Sequence, residues 1–568
     1  MRIRYLIIAM AAALVGSSAN AEPFADLRAA YAARDESAAA AIYAPDAVVT
    51  YRYQGSPEER HVGRAAIKAS FRALFDQVDP QDRLDLNFRI AKRDGRNVAG
   101  IYRLRIGSSN ASYGRFIVTL AEDGSFASDL SMSATIADFE DATGSVLLAP
   151  NDENLDRSYY AAFAGRYELP DGCRLVVTRS IVRLFVRNTC TNEWWGLARQ
   201  SGRIWTAGDR VLSDKVNTTY RFSDLRTGVR PSIEIIRGTD VKAAVRSAVY
   251  RTEQIIFTSA DGTKLAGTIY LPIDVSRPRP ASVMIHGSGP QDRDGYASII
   301  AVMADELAAN GRVVLAFDKR GSGASGGDGD RATFDVLAQD VAAAMAVLAN
   351  RPEVDAAAIG LAGSSQAGWV AAKVVQQGIK PADVFLLGAA GSALTVVQQN
   401  LYNTRVRMLC AGLPKADVKL ALEQQEAFFA YLSDPKAAAV LDRLTAKAQL
   451  RPRLTDWLFP DSRSTDRNAN AWYVVLDPKF DPLPVWRSYK GNGLFLFGEH
   501  DDATPTEFAM KRLKGSYIRT QLIPSAQHLG LAATGVCKAE LGDLQTFSPN
   551  VISAIARFAK RDKAARHK

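Results

Sequence analysis

The sequence predicts a multidomain protein: an α+β domain, then a small antiparallel β domain, then an α/β domain with a mostly parallel sheet and a helical cap. Three observations predict it. From Glu253 to Ala559, short apolar strand runs alternate with helical patterns, the signature of a parallel sheet covered on both faces. Residues 155–248 instead carry short strand patterns between turn signals. Residues 22–145 place helical patterns first and alternating strands after. The 568 residues leave room for about three domains.

The first 21 residues read as an export signal. Arg2 and Arg4 precede the apolar run Tyr5–Val15, and Ala19-Asn20-Ala21 supplies a small-residue cleavage site. Cleavage between Ala21 and Glu22 predicts a periplasmic or secreted protein. The run is too short to span a bilayer, so no stable membrane insertion is expected.

In residues 22–145, Phe24, Leu27, Tyr31, Ala40 and Tyr43 mark an apolar helical face. A strand over 47–53 and a helix over 63–75 follow, then strands over 85–91, 97–106, 112–120 and 126–136. His61 reads as a surface loop residue. In residues 155–248, Trp194, Trp195 and Trp205 are read as core before they are read as a ligand platform.

In residues 250–568, strands are expected over 253–259, 264–271, 281–286, 312–318, 357–363, 382–390, 494–498 and 517–524. Helices are expected over 297–310, 333–350 and 549–559. The alternation stops between about 394 and 480, where helical patterns over 414–433 and 437–448 mark a cap.

Composition excludes several classes. The formal charge of +9 includes Arg2 and Arg4, and the two signs are interspersed. No basic stripe with aromatic residues points to nucleic acid; the basic tail 560–568 reads as a solvated helix end. No metal-ligand spacing occurs, and no cofactor or metal is implied. The four cysteines fit an oxidising compartment. Three connectivities are possible, of which the local pairing of Cys173 with Cys190, leaving Cys410 with Cys537, is the most economical.

The chemistry centres on Ala357-Ala-Ile-Gly-Leu-Ala-Gly363-Ser364-Ser365-Gln366-Ala367-Gly368-Trp369. A strand, a corner of small residues and a helix describe a nucleophile elbow. Ser365 occupies its apex, and Ser364 is the lesser candidate. Ala367 stands where the pattern has its second glycine. A serine hydroxyl needs a general base, and the base needs an orienting carboxylate. Of the five histidines, His61 lies in another domain, His567 in the tail, His286 at a strand end and His500 beside Asp501. His528 follows the last strand, at the carboxyl edge where ligands gather in open α/β sheets. Gly498-Glu499-His500-Asp501-Asp502 leaves the preceding strand and supplies the acid; Asp501 is preferred over Asp502 and Glu499. The order Ser365, Asp501, His528 is that of a Ser-Asp-His triad on an α/β sheet. The amides of Gln366 and Ser288 are the expected oxyanion donors. Gly287 and Gly289 let the main chain approach a substrate. In the cap, Trp457 and Trp472, with Phe459, Tyr473 and Phe480, are suited either to an apolar acyl site or to packing cap on core.

These motifs carry two resemblances. His286-Gly-Ser-Gly-Pro-Gln-Asp-Arg-Asp-Gly295, Phe317-Asp-Lys-Arg-Gly-Ser-Gly-Ala-Ser325 and the Ser-Gln elbow resemble the α/β-hydrolase superfamily, and within it secreted EstD-like carboxylesterases. That resemblance covers residues 250–560. It implies hydrolysis of a small-molecule carboxylic ester through an acyl-enzyme, without cofactor, with Asp318 and Arg320 structural. Tyr43-Ala-Pro-Asp46-Ala-Val-Val with Gly63-Arg64-Ala-Ala-Ile67 resembles the SnoaL-like family of the nuclear-transport-factor-like fold, a cone with a pocket; the resemblance implies Asp46 and His61 as candidate pocket residues, the surface loop being the better reading for His61. Alternative expectations are a peptidase or acyltransferase with the same triad, or an inactive hydrolase that binds a ligand. A propeller-bearing peptidase is disfavoured because the first 250 residues carry no blade repeats. Nothing in the sequence implies an oligomeric state.

Overall fold

The structure is a computed structural model. It describes residues 22–52, 59–76, 78, 84–106, 112–133, 162–180, 183–201, 203–208, 216–223, 230–273, 276–329, 331–458, 477–538 and 546–560. The expected export signal and Trp472 lie outside these residues, as do Phe459 and Tyr473. Contacts gather the chain into two compact units. One comprises Met1–Asp156, Gly196–Arg221 and Ile235–Val241; the other comprises Arg157–Trp195, Phe222–Glu234 and Lys242–Lys568.

The first unit opens with helices α1 (Glu22–Ala33) and α2 (Glu36–Ala41), and the Asp35 side chain caps α2 by accepting from the Ser37 and Ala38 amides. Strands β1 (Tyr43–Arg52) and β2 (Glu59–Val62), helix α3 (Arg64–Phe75) and strands β3 (Leu84–Asp94), β4 (Asn97–Ile106), β5 (Ser112–Leu120) and β6 (Phe126–Ser133) follow. They form one sheet in the order β2-β1-β6-β5-β4-β3, antiparallel except where β1 meets β6. Its core is aromatic: Tyr31 meets Phe71 and Phe75 edge-on, and Phe126 packs on Phe24 and Tyr43. The helices and strands read from the pattern are present among the described residues, except that Tyr43, read with the helical face, opens β1; residue 53 and residues 134–136 of the expected strands lie outside the described residues. His61 differs from its expected loop: it lies in β2, paired opposite Val49, with its ring against Tyr51. Asp46 is exposed, and the buried carboxyl of this domain is Asp129, which accepts from the Tyr43 hydroxyl at 3.0 Å. Burial raises the Asp129 pKa to about 7.

Strands β7 (Gly165–Glu168), β8 (Arg174–Ser180), β9 (Arg183–Asn188), β10 (Trp194–Ser201), β11 (Ile204–Ala207), β12 (Thr218–Phe222), β13 (Ser232–Arg237) and β14 (Asp240–Ser247) close a barrel in the order β10-β11-β12-β13-β14-β7-β8-β9. Trp194 and Trp205 are buried, and Trp194 stacks on Phe185 at 4.7 Å. They fill core and build no platform. Cys173 and Cys190 are bonded across the β8–β9 hairpin.

The second unit also holds an eight-stranded sheet. It is built from β15 (Tyr250–Thr258), β16 (Lys264–Pro272), β17 (Arg279–Ile285), β18 (Val313–Phe317), β19 (Val354–Ser364), β20 (Asp383–Leu387), β21 (Asn492–Gly498) and β22 (Ile518–Ile523). The order is β15-β16-β18-β17-β19-β20-β21-β22, with β15 and β16 antiparallel to their neighbours and the other pairings parallel. Helices α4 (Ile299–Ala309), α5 (Phe334–Ala349) and α6 (Ala367–Gln376) connect β17 through β20. Helix α4 starts two residues later than expected because Ala297 and Ser298 take positive φ. Between β20 and β21 the cap forms from α7 (Val396–Cys410), α8 (Lys415–Ser433) and α9 (Ala438–Gln449). Helices α10 (Leu483–Ser488), α11 (Thr506–Leu513) and α12 (Pro549–Ala559) complete the chain. Cys410 at the end of α7 is bonded to Cys537.

One buried ion pair ties the middle of this sheet. Arg312, wholly buried, donates to both oxygens of Asp383 at 3.0 and 3.1 Å and to the Ala281 carbonyl at 2.7 Å. Gly360 makes the pair possible, since a Cβ there would stand 1.7 Å from Asp383 Oδ1. Asp383→Ala leaves the guanidinium buried without its carboxylate and should cost about 3–5 kcal/mol of stability. Urea unfolding measures this; an unchanged midpoint would contradict it.

Candidate active site

The sharpest feature of the second unit is the corner between β19 and α6. Ser365 has φ of 55°, in the left-handed region that a serine rarely occupies. The corner is held on both sides: the Ser365 amide donates to the Leu387 carbonyl at 3.0 Å, and the Gly368 amide donates to the Ser365 carbonyl at 3.1 Å. Ser364 is the last residue of β19, in register with Leu387, so Ser365 is the apex residue.

Small residues are required here by contact. A Cβ at Gly363 would lie 2.4 Å from the Ile285 carbonyl oxygen and 2.5 Å from the Ala367 methyl. Ala367 is therefore accommodated because Gly363 leaves it room. A Cβ at Gly368 would lie 2.3 Å from the backbone of Gly391. The departure from the two-glycine pattern thus has a structural account.

The acid and the histidine are brought together. His528 Nδ1 lies 2.9 Å from Asp501 Oδ2 and 3.0 Å from Oδ1. Asp501 leaves the end of β21 and also accepts from the Ala503 and Thr504 amides at 2.8 and 2.7 Å. Glu499, a rival for the acid, accepts from the Ser525 amide instead. Because a carboxylate only accepts, Nδ1 carries the proton and Nε2 keeps its lone pair. Burial opposes charging of His528, but the charge and hydrogen bond of Asp501, with the charge of Asp502, outweigh it and raise its pKa above the usual histidine value. Burial raises the Asp502 pKa.

Ser365 and His528 flank the same end of β20. The Ser365 amide is bonded to Leu387, and next to it Gly388, with φ of 56°, faces the His528 backbone. A Cβ at Gly388 would stand 2.3 Å from the His528 carbonyl oxygen and 2.9 Å from Nδ1. His286 is buried at the end of β17, edge-on to Phe317, and burial with the nearby Lys319 charge lowers its pKa to about 3.

The loop after His286 borders the corner: a Cβ at Gly287 would lie 3.8 Å from the Ser365 Cβ. Lys319 Nζ donates to the carbonyls of Gly287 and Gly289 at 3.0 and 2.9 Å and to Gln366 Oε1 at 2.7 Å. Gln291 Nε2 donates to the Ser288 carbonyl at 2.7 Å. Burial pulls the Lys319 pKa down to about 7. Further along, Arg293 pairs with Asp318 through Nε and Nη2, and Arg179 of β8 donates to Asp294 at 2.7 Å. Arg320 pairs with Asp340 and Asp261. Asp318 and Arg320 are thus both engaged in ion pairs. Sequence reasoning passed over Lys319; its position directly after a strand end, between Asp318 and Arg320, was the signal.

The cap meets the acid loop through α7, where Tyr402 donates to the Asp501 carbonyl at 3.2 Å and Asn403 to the Asp502 carbonyl at 3.0 Å. Trp457 packs half-buried on the cap's own cluster with Met408, Val418 and Leu420. Phe480 packs against the core of the parallel sheet, under Lys373 at 4.3 Å. Among the described residues no group of three or more His, Cys, Asp or Glu side chains is placed to hold a metal ion.

Residues 283–534 match the family model described as the alpha/beta hydrolase family, and this region has the α/β-hydrolase fold. No curated protein matches the chain. Among solved structures, an esterase of Pyrococcus furiosus aligns at 18% identity and a TM-score of 0.36, covering 55% of this chain and 91% of its own. A hypothetical protein of Pseudomonas aeruginosa aligns at 17% identity and 0.35, covering 55% and 94%. Est1E of Butyrivibrio proteoclasticus aligns at 17% identity and 0.33, covering 54% and 96%.

Gly388→Ala is expected to displace the His528 loop and break the Asp501–His528 contact. In proton NMR the low-field Nδ1–H signal of that bond should be present in the wild type and lost in the variant; its persistence would show that the loop tolerates the methyl.

Proposed function

We propose that the chain is an exported serine hydrolase that cleaves small carboxylic esters through an acyl-enzyme. The observation that carries this is a left-handed serine at a strand–helix corner, with a histidine–carboxylate pair on the same end of β20. Ser365 Oγ attacks the ester carbonyl while His528 Nε2 takes its proton. The oxyanion is met by the Ser288 and Gln366 amides. Collapse expels the alcohol, which leaves with the proton from His528. Water, deprotonated by the same nitrogen, then releases the acid. Asp501 holds the tautomer and stabilises the imidazolium. Gly287 and Gly289 give the substrate access to the backbone donors. Trp457 and Trp472 are the cap residues proposed to face the acyl group. The two disulfides agree with export to an oxidising compartment, periplasmic or extracellular. The first domain is proposed to be SnoaL-like, on its helices-first order and the strand order of its single sheet.

Hydrolysis of p-nitrophenyl esters from acetate to decanoate tests the reading. Wild type should turn over, label with a fluorophosphonate and show one preferred chain length. Ser365→Ala should not label, and its kcat should be lower by about 10⁴-fold or more. Turnover by Ser365→Ala at the wild-type rate would overturn the assignment.

The pH dependence has a definite sign. The base acts when neutral, so kcat/KM should rise with pH through a midpoint above the ordinary histidine value, because Asp501 and Asp502 favour the charged ring. Asp502→Asn removes one of these charges and should move that midpoint to lower pH. A midpoint that stays in place would exclude Asp502 from the field at His528.

A further inference from the structure

Lys319 is only 7% exposed and carries three hydrogen bonds, all to neutral oxygens: the Gly287 carbonyl, the Gly289 carbonyl and the Gln366 side chain. An ammonium has three N–H donors, so the set is fully used. Burying such a group is costly, and the local geometry indicates what it does. Gly287 and Gly289 belong to the loop after β17, whereas Gln366 begins the turn into α6. The lysine therefore joins two separate chain segments that border Ser365.

The direction of the bonds matters more than their number. In a trans peptide the C=O and the following N–H point opposite ways. With the Gly287 carbonyl turned onto Lys319, the Ser288 N–H is turned away from it. Hydrogen-bonding the carbonyl also polarises the peptide and makes that N–H a better donor. Gln291 treats the next peptide likewise, since its side chain holds the Ser288 carbonyl.

We propose that Lys319 is the positioning residue of the oxyanion hole: its ammonium orients the Ser288 amide and locks the loop that carries it onto Gln366. The proposal rests on the acyl-transfer reading of Ser365. It differs from a bland packing role in what it affects, because an oriented donor stabilises the tetrahedral state and contributes little to the planar ester.

The test uses the full chain and two inhibitors of matched alkyl length, a boronic acid that becomes tetrahedral on Ser365 and a planar amide. For Lys319→Met we expect kcat to fall about 100-fold, as for loss of an oxyanion donor, with KM changed by less than about threefold. Boronic acid affinity should fall by a similar factor and amide affinity should hold. Equal weakening of both inhibitors, or an unchanged kcat, would overturn the proposal. If Lys319→Met does not fold, Gln366→Met removes one of the three acceptors while keeping the backbone amide. It should show the same split at about 10-fold in kcat, and parallel loss of both affinities would again overturn it. Failure of the underlying reading looks different: wild type and Ser365→Ala would then be equally inert.

Discussion

Crowding around one left-handed serine is the constraint on which the second unit depends. At Ser365 the chain reverses from a buried strand into a buried helix, and the end of β17, the end of β20 and the segment at Gly391 all press on the corner. The approaches of β17 and of Gly391 are closer than a side chain permits, which is why Gly363 and Gly368 stand where they do, and Gly388 at the end of β20 leaves room for His528. A φ of 55° at serine costs about 1–2 kcal/mol. The backbone bonds to Leu387 and from Gly368, with the packed strands on either side, hold it there. The same crowding brings the His528 loop against β20.

Around this corner the loops are held by charge as much as by packing. Arg293–Asp318, Arg179–Asp294 and Arg320–Asp340 are buried pairs with two-point or short single contacts, and each reaches from a loop to a different part of the unit. Buried pairs add little net stability once desolvation is counted, but breaking one is expensive, so they fix geometry. Residues 292–294 follow the proposed oxyanion loop directly. Asp294 is held by β8, and Ser298 donates to the Arg179 carbonyl at 2.8 Å. Arg166 of β7 adds two bonds to Asp305 on α4. Strands β7–β9 thus share the compact unit of the parallel sheet and brace the loop beside the serine. That gives the middle segment a physical part in the site, where its sequence offered only turns and tryptophans.

Much of this was legible in the sequence, for physical reasons that differ by element. The buried parallel strands announce themselves because both faces are apolar, and the Asp501–His528 pairing followed from histidine scarcity and chain order. The cysteine pairs were not fixed by spacing alone; the 127-residue separation of Cys410 and Cys537 closes only because the cap returns to the sheet edge. His61 was misplaced because a four-residue strand with polar residues carries too little periodicity to read. Asp129 was missed because a lone carboxylate in an alternating strand looks like a solvent-facing residue, and its inward direction depends on register with β1. Lys319 was missed because lysines are expected outside, and its three carbonyl-type acceptors come from two distant chain segments.

The cap adds a last constraint. Helix α7 touches the acid loop through Tyr402 and Asn403 near its middle and is bonded at its end, through Cys410, to the segment that follows His528. Both loops that pair Asp501 with His528 therefore share one rigid neighbour. Loops that extend beyond a sheet edge have few backbone partners of their own and would otherwise sample many positions. A hydrogen-bonded pair at 2.9 Å requires both to be fixed together. Placing one helix against the two of them, closed by a covalent bond, removes their relative freedom more effectively than separate contacts would. On this argument the cap's first helix belongs to the site's framework, while α8 and α9 pack into apolar clusters of the cap's own.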